Sequence, residues 1–223
     1  MDHDPDVIVL NAGAIETEIG ERGLPLAESP ETLFHVNAVF PSLVSIVATE
    51  YAKKRSGDRA LEIVLIGSIA DGAPSSFGPV YHASKIAAHY FVSGVGPIAR
   101  GYAENVRLRL YRPGAIRGPM SWAPVLRLND RGYRIRAKRC ETAPTGDEVA
   151  RDVAKFIDSD RWVGTWDEPL SFRFLRLAFA LAPNLYYRLQ LLGWRKASRF
   201  LSGEPAPDLS KAEHEHVREL ARS

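Results

Sequence analysis

Three short apolar runs, each followed by a turn and then by a segment of helical periodicity, constrain this chain more than any other feature. The runs are V-I-V-L at 7–10, L-E-I-V-L-I at 61–66 and V-R-L-R-L-Y at 106–111. Each is too short for a buried helix and carries the branched or aromatic side chains that suit a pleated strand. Strands that alternate with helices pair in parallel, because each helix carries the chain back across the sheet. The fold class is therefore α/β with a parallel sheet. The first two runs are almost wholly apolar and are expected to be buried on both faces. The third alternates in polarity and reads as less buried.

Residues 29–55 read as a helix. Ser29 suits its cap and Pro30 its first turn, and Leu33, Val36, Phe40, Leu43, Val44 and Val47 recur at helical spacing. Pro41 lies inside that pattern and predicts a kink near Asn37, since proline cannot supply the amide hydrogen that the preceding turn requires. Gly78 and Pro79 introduce a second helix that runs to about Gly101 and bears Tyr81, Ser84 and Lys85. A third spans about 145–159 and opens with T-G-D-E.

Composition narrows the function classes. The 223 residues, 45% of them hydrophobic, are enough for one domain with a real core. A net charge of +2 implies no long-range attraction to nucleic acid. One cysteine, Cys140, excludes an internal disulfide, reads as an idle thiol and fits a cytoplasmic location. Charges directly after Met1 argue against a signal peptide. His82 and His89 read as packing or surface residues, and His214 and His216 as part of a solvated helical face, so no metal site is expected.

The chemistry-bearing pattern is G-S-I-A-D at 67–71 followed by Y-H-A-S-K at 81–85. Tyr81 and Lys85 are four residues apart and share a helix face, which lets an ammonium sit beneath a phenol. At an effective dielectric near 20, opposite charges about 4 Å apart gain roughly 4 kcal/mol. That is enough to draw a phenol of ordinary pKa about 10 toward neutrality, where it works as a general acid or base. Ser68, after an apolar run, stands where strand ends meet ligands in open α/β sheets. A lone Tyr-x-x-x-Lys is weak evidence, but here it has company in order: N-A-G at 11–13, Asn37 in a helix, and P-G at 113–114.

Together these motifs resemble the short-chain dehydrogenase/reductase family over residues about 5–120. The family's Asn-Ser-Tyr-Lys tetrad maps onto Asn37, Ser68, Tyr81 and Lys85. The resemblance implies a Rossmann-type sheet and hydride transfer between the nicotinamide of NAD or NADP and a carbonyl or secondary alcohol of a small-molecule substrate. Tyr81 would move the proton, Ser68 would hold the substrate oxygen, and Lys85 would tune the phenol and hold the nicotinamide ribose. Asn37 would complete a proton relay through a water on its backbone carbonyl. Asn11, Ala12, Gly13, Pro113, Gly114 and Ile116 would join Tyr81 and Lys85 in holding the cofactor. Gly118 stands where the family often has Thr.

The family's glycine-rich turn, T-G-x-x-x-G-x-G, is absent from the sequence. By resemblance the chain starts just before the family's fourth strand, which implies a partial, N-terminally truncated Rossmann-like domain over 1–168 in which Asp6 to Leu10 would be an exposed apolar edge. Three readings are open: an oxidoreductase whose true start lies upstream, an inactive remnant or binding partner unable to hold a dinucleotide alone, and one half of a split protein. Residues about 120–144 occupy the family's variable substrate loop, so the substrate is not legible. Residues 169–223 read as a helical C-terminal extension. Within its segment 170–200 the longest uncharged stretch, Leu177 to Tyr187, is too short to span a bilayer and is interrupted by Pro183, and the segment reads as an amphipathic pair that caps the pocket or packs on the core, makes peripheral membrane contact or binds a partner. Family members commonly pair through helices equivalent to 29–55 and 80–100, which implies a homo-oligomer.

Overall fold

The computed structural model describes residues 4–15, 30–55, 59–130 and 141–198. The expectations placed on Ser29, Cys140, His214 and His216 fall outside them. Four parallel strands lie in the order β1 (Val7–Leu10), β2 (Leu61–Ile66), β3 (Val106–Pro113) and β4 (Val163–Trp166). Their register sets Val9 beside Val64, Leu65 beside Leu110, and Leu110 beside Val163. Helices α1 (Pro30–Lys54) and α2 (Pro79–Tyr102) cover one face of the sheet. There Ala48, Ala52, Ile63, Leu65, Ala88, Val92, Leu108 and Leu110 form the main core. On the other face α4 (Gly146–Ile157) packs Val149 and Phe156 against Val64 and Tyr111. Both faces of β2 and β3 are thereby dry, and a core leucine such as Leu108 cut to alanine would cost about 2–5 kcal/mol.

Two strand expectations need correction. β1 is not buried on both faces but is the exposed apolar edge also expected of it: Val7 and Val9 are 41% and 43% exposed, while Ile8 and Leu10 pack on the core. Among the described residues β1 pairs only with β2, so it is a half-buried edge. β3, expected to be the less buried strand, is central and nearly wholly buried. Its Arg109 is 1% exposed, yet it is compensated. The guanidinium pairs with Glu62 at 2.9 Å and donates to the carbonyls of Phe156, Ile157, Ser159 and Arg161. Those carbonyls belong to the end of α4 and the turn beyond it, where helix acceptors lack partners and favour a cation. Alternating arginines in β3 therefore mark a buried ionic layer instead of a solvent face.

Near Asn37, where a kink is expected, the helix departs from α geometry. Pro41 has no hydrogen to give the Asn37 carbonyl, and the chain widens into a π-helical turn over His35–Val39, where the Phe40 amide bonds back to the His35 carbonyl. The faces of α1 differ from the apolar pattern read in sequence. Asn37, Ala38, Pro41, Ser45, Ala48, Thr49 and Ala52 point inward, while Phe40, Leu43 and Val47 are 48%, 53% and 66% exposed. Of the large apolar residues in the sequence pattern Leu33 is buried, whereas Phe40, Leu43 and Val47 are left outside and small residues fill the inward face. α1 is long and apolar enough by composition to cross a membrane, but its inward face packs on α2 and β2.

The helix expected over 145–159 opens with a capping box in which Thr145 and Glu148 satisfy each other's amides. β4, four residues with Gly164 at its centre, carried no strand signal of its own. α3 (Pro119–Asp130) follows the P-G turn, and α5 (Leu170–Leu181) and α6 (Pro183–Ser198) form the expected helical pair, broken at Pro183.

Candidate active site

The strand ends build the site. After β2 a glycine suits the close packing, because a Cβ at Gly67 would stand 2.9 Å from a Leu110 methyl that would have to shift. Ser68 follows in extended backbone, buried, and its Oγ accepts the Ala70 amide at 3.1 Å to cap the 3-10 turn Ile69–Gly72. A hydroxyl that accepts this bond still has its own hydrogen to donate.

α2 carries Tyr81 and Lys85 one turn apart, with Lys85 Nζ 5.7 Å from the centre of the Tyr81 ring. Lys85 is buried and donates to the Ile66 carbonyl at 3.3 Å. Burial pulls its ammonium down to about 8, against the opposing pull of the Asp71 carboxylate, which favours the charged form. A cation this poorly solvated is well placed to stabilise a neighbouring negative charge.

Asn37 is 1% exposed, not a solvent-facing helical residue. Its side chain accepts the Ala14 amide and donates to the Ala14 carbonyl, both at 2.8 Å, and also donates to Ser84 Oγ at 2.9 Å. Ser84 in turn donates to the Tyr81 carbonyl at 2.7 Å. The segment after β1, the widened turn of α1 and the first turns of α2 are thus tied together. Gly13 lies within this group: a Cβ there would meet Met120 Cε at 3.5 Å, Lys85 Nζ at 3.6 Å and Asn37 Oδ1 at 3.7 Å. Asn11, Ala12 and Gly13 are exposed along the end of β1.

Pro113 ends β3, and Gly114 donates its amide to Trp166 at 2.9 Å. A Cβ on Gly114 would strike the Asp167 carbonyl at 2.5 Å, so only glycine fits. Ile116 packs on the Tyr111 and Phe156 cluster, and its carbonyl accepts the Ser121 hydroxyl. Gly118, where the family often has threonine, has φ 155°, a conformation in which a β-branched residue is strained. The contacts join Asn37, Tyr81, Ser84, Lys85 and Gly13. Ser68 and Pro113–Ile116 stand at the carboxyl ends of the neighbouring strands, each held by its own partners.

Asp71, Arg112 and His89 were missed by sequence reasoning. Arg112 grips Asp71 through both Nε and Nη2, with Nε 2.9 and 2.8 Å from the two carboxylate oxygens. His89 Nδ1 lies 2.9 Å from Asp71 Oδ2, so His89 is not a mere packing residue. The carboxylate lies in the turn that Ser68 caps, and His89 lies one turn beyond Lys85 on α2. The available signals were an aspartate three residues after Ser68 and an arginine just before P-G.

These residues fit the nicotinamide and ribose end of a dinucleotide, with a buried ammonium, a phenol and a close glycine backbone at one place. No glycine-rich turn for the pyrophosphate occurs in the sequence.

The pattern of the short chain dehydrogenase family matches residues 4–125. No curated protein matches the chain. A short chain dehydrogenase from Burkholderia cenocepacia, solved with NADP, is similar with TM-score 0.59 and 18% identity, over 84% of this chain and 69% of that one. A short-chain dehydrogenase from Sphingobium yanoikuyae, solved with NADPH, gives 0.58 and 19%, over 82% and 66%. A 3-oxoacyl-[acyl-carrier protein] reductase from Brucella melitensis, solved with NAD, gives 0.58 and 20%, over 72% and 64%. The chain thus spans about two thirds of the length of these proteins, and at such identities the likeness is one of fold. With more than half of its length matching the family pattern, and with the parallel sheet and covering helices of the solved members, this chain belongs to the short-chain dehydrogenase family.

Proposed function

We propose that the chain carries the catalytic and nicotinamide-binding part of an NAD- or NADP-dependent oxidoreductase that interconverts a carbonyl and a secondary alcohol. The observation that carries this reading is Lys85, buried beside the Tyr81 ring and packed against the Asn37 and Gly13 group. The cofactor supplies or receives the hydride at the substrate carbon. In reduction Tyr81 gives its proton to the carbonyl oxygen as that oxygen gains charge, and Ser68 donates a hydrogen bond to the same oxygen. The Lys85 cation stabilises the phenolate left behind and holds the ribose hydroxyls; the relay at Asn37 returns a proton to Tyr81. In oxidation Tyr81 takes the alcohol proton. Asn11 to Gly13 and Pro113 to Ile116 hold the nicotinamide from the ends of β1 and β3.

A second reading is a remnant or binding partner that keeps these residues without holding a dinucleotide. Titration of the chain with NADPH or NADH, followed by nicotinamide fluorescence, separates the two. Saturable binding that Lys85→Met weakens supports the first; no binding at millimolar cofactor excludes independent catalysis by this chain.

The outward apolar face of α1 and α2 supports a homo-oligomer. Phe40, Leu43, Val47, Tyr90 and Ile98 are 48–70% exposed there, a density suited to pairing with a second copy.

A further inference from the structure

The pair α5–α6 turns its small and aromatic side inward. Ala178 and Tyr186 are buried with Ala73, the Tyr186 hydroxyl donates to the Pro74 carbonyl, and Gln190 accepts the Ser76 amide at 3.2 Å. Trp194 packs its ring 5.4 Å from that of Phe77. The pair therefore rests on the loop that follows Ser68, and its orientation on the protein is fixed.

The opposite side is apolar too. On α5 Leu170, Phe174, Leu177 and Leu181 recur at helical spacing and are 80%, 62%, 55% and 75% exposed. On α6 Leu185, Leu189 and Leu192 repeat the pattern at 51%, 37% and 62%. A surface helix ordinarily turns a polar face to water. Isolated exposed apolar side chains need no explanation, but seven in two stripes on adjoining helices form a patch that needs an occupant.

Charge identifies that occupant. Residues 169–198 hold five cationic side chains and no carboxylate, in a chain whose net charge is only +2. Arg173 and Arg176 share Glu168, at 3.5 and 2.9 Å. Arg188, Arg195 and Lys196 are exposed, and their spacing from Leu185 and Leu192 sets them along the α6 stripe. A second copy seated on this face would set cations against cations. An anionic lipid surface takes both the apolar stripe and its charged border. The two helices, 12 and 16 residues long, are shorter than the roughly 20 needed to span a bilayer.

We propose that the outward face of α5–α6 docks the protein on an anionic bilayer surface, with the Leu and Phe stripes in the acyl boundary and Arg188, Arg195 and Lys196 among the headgroups. This does not depend on the oxidoreductase reading.

Co-sedimentation of the intact chain with phosphatidylcholine vesicles, and with vesicles also containing phosphatidylglycerol, tests it. Binding should be about tenfold or more tighter to the anionic vesicles and should weaken with added salt. A Leu177→Glu, Leu185→Glu double variant should lose binding to both. An Arg188→Gln, Arg195→Gln, Lys196→Gln variant should lose only the anionic preference. All the substituted residues are exposed, and unchanged circular dichroism melts confirm folding. No sedimentation with either vesicle, binding indifferent to lipid charge and salt, or binding that survives the double substitution would each overturn the proposal. Self-association that the double substitution abolishes, without lipid binding, would assign the face to a second copy instead.

Discussion

Asn37 Nδ2 donates to Ser84 Oγ at 2.9 Å, across 47 residues of sequence, and so fixes the widened turn of α1 to the helix that carries Tyr81 and Lys85. The same amide group holds Ala14 at both its backbone N–H and its carbonyl. Asn37 is therefore a structural clamp on the site in addition to any part in a proton relay.

Asn37→Ala leaves the Ala14 amide and carbonyl and the Ser84 hydroxyl short of their partner. With about 1 kcal/mol for each lost bond and more for groups left dry, unfolding free energy should fall by about 2–4 kcal/mol. Urea denaturation measures this; a loss within experimental error would contradict the clamp.

Lys85 makes stability depend on pH in a definite direction. The unfolded chain keeps this proton up to about 10.4, whereas the folded chain releases it near 8. Between those values the folded state binds fewer protons, so stability rises with pH, by about 3 kcal/mol over the whole window. The difference in stability between the native chain and Lys85→Met, followed from pH 7 to above 10, should show this rise. A flat difference would mean that the lysine is solvated.

Asp71 opposes the burial of Lys85, so Asp71→Asn should lower the lysine pKa further below about 8. If the charged lysine is needed for turnover, activity falls as pH rises through its pKa, and in the variant that fall should come at lower pH. The variant should also lose stability by about 3–5 kcal/mol, because Arg112 remains buried without its carboxylate. A pH–rate profile with an unmoved alkaline limb would separate Asp71 from Lys85.

The exposed face of α1 makes oligomerisation testable by one change. Val47→Glu, at a site 66% exposed, should leave the melting temperature of the monomer nearly unchanged. It should shift the chain to monomer in sedimentation velocity. An unaltered oligomer would place the contact elsewhere.

Much of this site was legible because its spacing is local. Tyr81 and Lys85 share a helix face by counting, Pro41 announces the widened turn at Asn37, and Gly67 and Ser68 end an evident strand. What could not be read depends on residues distant in sequence. The arginines of β3 look like a solvent face until Glu62 and the end of α4 are brought to them. His89 looks idle until the turn after β2 sets Asp71 against it. The apolar residues of α1 were read as a single helical pattern, but beyond Leu33 its buried face is made mostly of small residues such as Ser45, Ala48 and Ala52. β4, with a glycine in four residues, owes its existence to pairing with β3 and has little intrinsic signal.

The central claim is that Tyr81, tuned by Lys85, moves the proton. Steady-state reduction of a carbonyl substrate by the active protein, compared with Tyr81→Phe, tests it most directly when NAD(P)H affinity is measured in parallel. The account predicts a loss of kcat of about 10²- to 10⁴-fold with cofactor Kd nearly unchanged. Turnover retained within a few-fold of the native rate would contradict it.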